Sequence, residues 1–185
     1  MSTPLQAWDR CATVYWLASP FARAAGLLVG RRYAMAGART ERTDAMTQPL
    51  EVLRGVIHPW HEDHFGHMNV RHYAPFFDDA VYHMWTRLGI AYASMLSEHG
   101  VHMVTAQAVT RFMRELKAGD LIVITGQVAR IGTKSCTFDL RMIHADTGAE
   151  HASYEVVEVV FDPATRAAAP MPQAIRARLE AGGRA

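Results

Sequence analysis

HEDHFGHMNVRHYAPFFDDAVYHMWTRLG, residues 61–89, passes from a polar, histidine-rich segment into apolar side chains at helical spacing, and its reading decides how the rest of the chain is arranged. Phe76, Phe77, Ala80, Val81, Met84, Trp85 and Leu88 recur at intervals of one helical turn. A helix over residues 73–88 therefore carries a broad apolar stripe and is buried on more than one side. Pro75 would break a helix interior but fits a first turn, which sets the start near Tyr73, and Gly89 supplies the stop.

Outward from this helix, residues 52–58 read as a strand, and the polar segment between strand and helix reads as a loop. A shorter helical stretch over residues 92–98 ends at Gly100, after which the period changes to two. Strands are expected over residues 101–116, 121–131, 136–143 and 151–161, separated by KAGD, GTKS and ADTG turns. Cys136, Phe138, Leu140 and Met142 alternate with Thr137, Asp139, Arg141 and Ile143, close to the face pattern of a half-buried strand. A helix led in by Pro172 closes the chain at about Glu180. The order strand, helix, then four strands predicts an α+β domain, with a curved antiparallel meander wrapped around one long central helix.

Composition narrows the chemistry. The 185 residues, half of them apolar, fill one well-buried domain and are short for two. A formal net charge of +1, with both signs scattered along the chain, offers no basic stripe for nucleic acid. Cys11 and Cys136 lie far apart with no CxxC, which fits a reducing cytoplasm and argues against a disulfide framework. Residues 1–48 differ in texture from the rest: their longest uncharged run, residues 11–22, is too short for a bilayer span. No stable membrane insertion is expected. The segment reads either as an interfacial amphipathic stretch or, preferably, as a poorly packed extension ahead of a domain over residues 49–185.

The loop itself admits two readings. His61, His64 and His67, with Asp63 beside them, could ligate a divalent metal, although Gly66 and the loop setting argue against three rings converging on one ion. Alternatively, Asp63 is a catalytic carboxylate placed just before a helix whose first N–H groups can hold a carbonyl oxygen as it turns negative. Gly66 would let the backbone turn sharply, and Asn69 can tie loop amides. Such an arrangement suits acyl transfer to water.

The stretch HEDHFGHMNVRHYAPFFDDAV resembles the pattern Asp, two variable residues, Gly-His-Met/Val-Asn and then a helix-leading Tyr, found in hotdog-fold acyl-CoA thioesterases of the 4-hydroxybenzoyl-CoA thioesterase type. The resemblance runs from about residue 52 to 180 and includes the AGD turn. It implies a hotdog fold, hydrolysis of an acyl-CoA thioester without metal or other cofactor, and a homodimer or dimer of dimers with shared sites. Carried over by position, it implies Asp63 as nucleophile or general base and a polarising amide near Val70. In related plant acyl-carrier thioesterases an asparagine and a histidine follow the aspartate by two and four positions; Phe65 stands at the first place and His67 at the second, so only His67 is implied as a catalytic partner.

Gly66, Asn69 and Tyr73 match positions that shape the loop and pocket, and Arg130 and Lys134 are placed to meet CoA phosphates. Asp78 and Asp79 match the helix position of another branch's carboxylate and read as structural, while Phe76, Phe77, Met84 and Trp85 read as core. The competing reading is a hotdog protein that binds acyl-CoA without turnover; an exposed carboxylate at position 63 favours the enzyme.

Overall fold

The structure, a computed structural model, describes residues 14–15 and 49–182. Expectations about residues 1–48 otherwise lie outside the described residues. In chain order the elements are β1 (Val14–Tyr15), β2 (Leu50–Val56), α1 (Tyr73–Arg87), α2 (Met95–His99), β3 (His102–Phe112), β4 (Leu121–Ile131), β5 (Ser135–His144), β6 (Glu150–Asp162), β7 (Ala167–Ala168) and α3 (Gln173–Ala181).

The alternation of side chains explains the sheet. Ile122 and Ile124 of β4, Cys136, Phe138, Leu140 and Met142 of β5, and Ala152, Tyr154, Val156 and Val160 of β6 are all buried. These two-residue periods put one face of each strand against α1. The helix answers with Tyr73, Phe77, Ala80, Val81, Met84 and Trp85, which are likewise buried. Trp85 meets Phe138 edge-on at 5.0 Å, and Phe77 stacks on Tyr154 at 4.8 Å. Each large side chain so buried contributes roughly 1.5–3 kcal/mol before entropy is counted. Gly55 of β2 allows the helix to come close, because a Cβ there would stand 2.9 Å from the Phe76 ring.

All pairings are antiparallel, in the order β1-β3-β6-β5-β4-β2, with β7 on β6. The sheet curls around α1 as a half-barrel, the hotdog arrangement. One feature departs from the expected four-strand meander: β4, β5 and β6 do run as a meander, but β3 lies beyond β6 and β2 lies beside β4. The chain crosses from one sheet edge toward the other through residues 113–120. Tight turns join neighbouring strands; this longer connection instead spends its backbone groups on the segment before the helix. Gly119 N–H donates to Ile57 O, Ile57 N–H to Asp120 O and Met68 N–H to Leu116 O, with Leu116 fully buried beneath. The crossing thereby fixes the loop that leads into α1. No helix among the described residues is long and apolar enough to cross a membrane.

Candidate functional site

Between β2 and α1 the chain forms a closed, internally bonded loop. Asp63 N–H donates to His67 O (2.9 Å), Gly66 N–H to Asp63 O (3.0 Å), and Asn69 N–H to His61 O (2.8 Å). Glu62 and Met68 face each other as an antiparallel bridge. Gly66 makes the reversal at φ +75°, a left-handed conformation that side chains resist. From outside, Glu62 Oε1 accepts the Ala118 N–H at 2.8 Å and so ties the loop to the β3–β4 connection.

The half-buried Asp63 uses one carboxylate oxygen locally, since Oδ1 accepts the Phe65 N–H at 2.8 Å. His67 does not face it: Nε2 of His67 lies 3.0 Å from Glu115 Oε2, on the crossing segment. Its link to Asp63 is through the backbone. His61 turns the other way, its Nδ1 accepting the His58 N–H at 3.0 Å and its ring 5.0 Å from His72 and 5.4 Å from Phe76. His64 is exposed against Phe65. The three imidazoles thus diverge, and among the described residues no three His, Cys, Asp or Glu side chains converge in a metal-holding group.

Asn69 caps the turn of 3-10 helix, Val70–His72, that precedes α1. Its Oδ1 accepts the Arg71 N–H (3.1 Å) and its carbonyl accepts the His72 N–H (2.9 Å). The cap leaves the Val70 N–H aside, and Val70 itself borders a cleft of about 530 Å³ between the start of α1 and β3. On the helix side Arg71, Ala74 and Asp78 continue the wall; on the sheet side it is formed by Thr105, Ala108, Thr110, Phe112 and Tyr154. The lining is largely apolar with a few polar groups, the usual make-up of a small-molecule site.

Of the residues singled out from the sequence, Val70 lines this cleft and Tyr73 backs it, buried edge-on against Phe112 at 4.9 Å. Asp63, Gly66, His67 and Asn69 form the adjoining loop rather than the cleft wall. Arg130 is exposed on β4 opposite Thr137, with β5 and β6 between it and β3. Lys134 Nζ donates to Ala168 O at 2.9 Å. Neither cation borders this chain's cleft. Phe77, Met84 and Trp85 are core, as expected, and Phe76 packs against it.

Three groups went unnoticed in the sequence or were read differently. Glu115 holds His67. Asp78, read as structural, lines the cleft, and burial, followed by the neighbouring Asp79, raises its carboxyl above the ordinary range. Glu158 is 2 % exposed and accepts a hydrogen bond from Thr105, while burial pushes its carboxyl up to about 7. A visible signal existed for Glu158, because it interrupts an inner-face series of Tyr154, Val156 and Val160.

The sequence profile of the thioesterase-like superfamily matches residues 57–179. No curated protein sequence matches the chain. Among solved structures, a hypothetical protein from Staphylococcus aureus in complex with CoA is 19% identical, with a TM-score of 0.66 over 75% of this chain and 86% of that one. A 1,4-dihydroxy-2-naphthoyl-CoA thioesterase from Synechocystis is 13% identical, with a TM-score of 0.61 over 69% and 93%. A gentisyl-coenzyme A thioesterase is 20% identical, with a TM-score of 0.60 over 69% and 98%. At these identities the likeness is one of fold.

Proposed function

Because this chain belongs to the thioesterase-like superfamily, whose reaction class is thioester hydrolysis, we propose that it hydrolyses an acyl-CoA to the free acid and CoA, with Asp63 as nucleophile or general base. The observation that carries this reading is the folding of the Asp63–Asn69 loop. Its internal bonds fix the backbone that carries Asp63 just ahead of the helix, and Val70, the residue after the cap, borders the cleft, which supports the pairing of this carboxylate with the Val70 amide.

In the general-base form, Asp63 takes a proton from water as the water oxygen bonds to the thioester carbonyl carbon. The carbonyl oxygen becomes negative against the Val70 N–H, the C–S bond breaks, and the departing thiolate takes the proton back. As nucleophile, the carboxylate would bond to the same carbon as the C–S bond breaks and CoA leaves as the thiolate, and water would then hydrolyse the mixed anhydride, freeing the acid, restoring Asp63 and giving its proton to the thiolate. Nothing in either path requires a further cofactor, because the thioester already supplies the activation. His67, held by Glu115, orients the loop through its carbonyl on Asp63 N–H.

A second copy of the chain completes the site in this reading. Only Val109 and Thr110 of β3 pair with β1, so among the described residues the outer edge of β3 from residue 102 to 108 has no strand beside it. Two such edges laid together give a homodimer, or a dimer of dimers, in which Asp63 works at the subunit boundary. Arg130 and Lys134, away from this chain's cleft, could reach CoA phosphates only from a neighbouring copy. The domain is residues 49–185, with residues 1–48 dispensable, and the buried free Cys136 suits a cytoplasmic setting.

A second reading rests on Asp78, since this carboxyl, and not Asp63, lines the cleft of a single chain. A screen of short, branched, aromatic, long and charged acyl-CoA thioesters, read by release of free thiol, tests the activity. Turnover of at least one class is expected; CoA binding without turnover of any would favour the non-catalytic alternative.

A further inference from the structure

The surface outside the cleft carries a continuous run of rings that the hydrolytic reading leaves unused. In the single chain Trp60 is 66% exposed, second among the large apolar side chains of the described residues after Phe65. Its ring is stacked on His58 with centroids 4.2 Å apart and planes 13° apart. His61 stands 5.8 Å from Trp60, edge-on, and His72 stands 5.0 Å from His61. Arg71 closes the run, its Nε donating to His72 Nε2 at 3.0 Å, and Arg71 also borders the cleft.

Among the described residues, no carboxylate pairs with Arg71. Arg54, Arg141 and Arg176 each meet a carboxylate, whereas the partner given to Arg71 is an imidazole nitrogen. Glu62 and Asp63 turn carboxylate oxygens to main-chain donors, Glu62 Oε1 to Ala118 N–H and Asp63 Oδ1 to Phe65 N–H, and Asp78 lines the cleft along with Arg71. His61 is held below the ordinary imidazole range by burial and then by His72 and His58. An exposed indole already stacked on a neighbouring ring, and linked through His61 and His72 to the Arg71 guanidinium, is a stacking platform with a phosphate-binding cation at its end.

We propose that Trp60, His61, His72 and Arg71 bind the nucleotide end of the CoA carrier, with the purine on Trp60 and the phosphates toward His72 and Arg71. This rests on the acyl-CoA reading and deepens it: the acyl end occupies the cleft, and the carrier leaves past Arg71 along the ridge. It assigns the phosphates to a place other than Arg130 and Lys134.

Calorimetric titration of the full-length protein with free CoA, adenosine 3′,5′-bisphosphate and pantetheine tests this without any turnover. For Trp60→Ala we expect at least a roughly tenfold loss of affinity for CoA and for the bisphosphate, with pantetheine unchanged, and recovery of most of the loss in Trp60→Phe. Arg71→Gln should weaken the same two ligands, with a smaller dependence of affinity on salt. Thermal melts check that each variant is folded, which an exposed position favours. Wild-type CoA affinity in Trp60→Ala, or equal losses for CoA and pantetheine, would overturn the proposal. A protein that binds CoA through Trp60 yet hydrolyses nothing would refute the hydrolase and leave the ridge standing; hydrolysis with CoA affinity indifferent to Trp60 would do the reverse.

Discussion

Thr105 Oγ1 donates to Glu158 Oε1 at 2.6 Å across the β3–β6 pair, at the floor of the sheet behind the cleft. The hydroxyl lowers the carboxyl pKa, but burial outweighs it, with Asp78 acting in the same direction as burial. The folded chain therefore holds a proton on Glu158 up to about pH 7, well above the ordinary carboxylate value of 4.5.

The consequence for stability has a definite sign. Between the unfolded and folded values the native state binds more protons, so stability is full below about 4.5, falls as pH rises, and levels off above about 7. Glu158→Gln keeps an acceptor for Thr105 and removes the charge. Stabilities from urea unfolding measured across this window should fall with pH in the wild type and fall less in the variant, the gap reaching on the order of 3 kcal/mol at pH 8. Parallel pH profiles would contradict the assignment.

Gly66 tests the loop independently of the carboxylate. An added Cβ meets nothing within 4 Å, so Gly66→Ala acts through the backbone at φ +75° alone. A cost of about 1 kcal/mol is expected, seen as a Tm lowered by a few degrees. Because the strain falls between Asp63 and His67, kcat should drop more than KM rises. An unchanged kcat would show that the loop geometry does not matter to turnover.

Deletion of residues 1–45 should leave a folded, active dimer. The pairing lost with it is that of Val14 and Tyr15 with Thr110 and Val109. Sedimentation analysis and thiol release from the truncated protein check this; aggregation or an inactive monomer would give the extension a part in the fold.

Local periodicity made the elements legible before their arrangement was. Residues 121–131 were expected as a strand and β4 has those bounds, because Ile122, Ile124 and Gly126 alternate with partly exposed residues between two clear turns. The central helix was legible from its stripe and Gly89. The placement of β3 was not, since antiparallel periodicity says which face is buried and nothing about which neighbour pairs; that was settled by bonds from residues 113–120 to the loop. The motif around Asp63 was visible as a motif. Its distance from the cleft wall, the turning of His67 toward Glu115 and the facing of Asp78 into the cleft depend on contacts made across the fold. Glu158 was visible as a charge on an apolar face, but its partner stands 53 residues away in the sequence.

Thiol release from the best acyl-CoA substrate, compared among wild type, Asp63→Asn and Asp78→Asn with unchanged melting curves, bears most directly on the role of Asp63. Asp63→Asn should lower kcat/KM by about a thousandfold or more while Asp78→Asn retains most of the activity. Wild-type turnover in Asp63→Asn, or the large loss falling on Asp78→Asn instead, would place the chemistry on the helix and not on the loop.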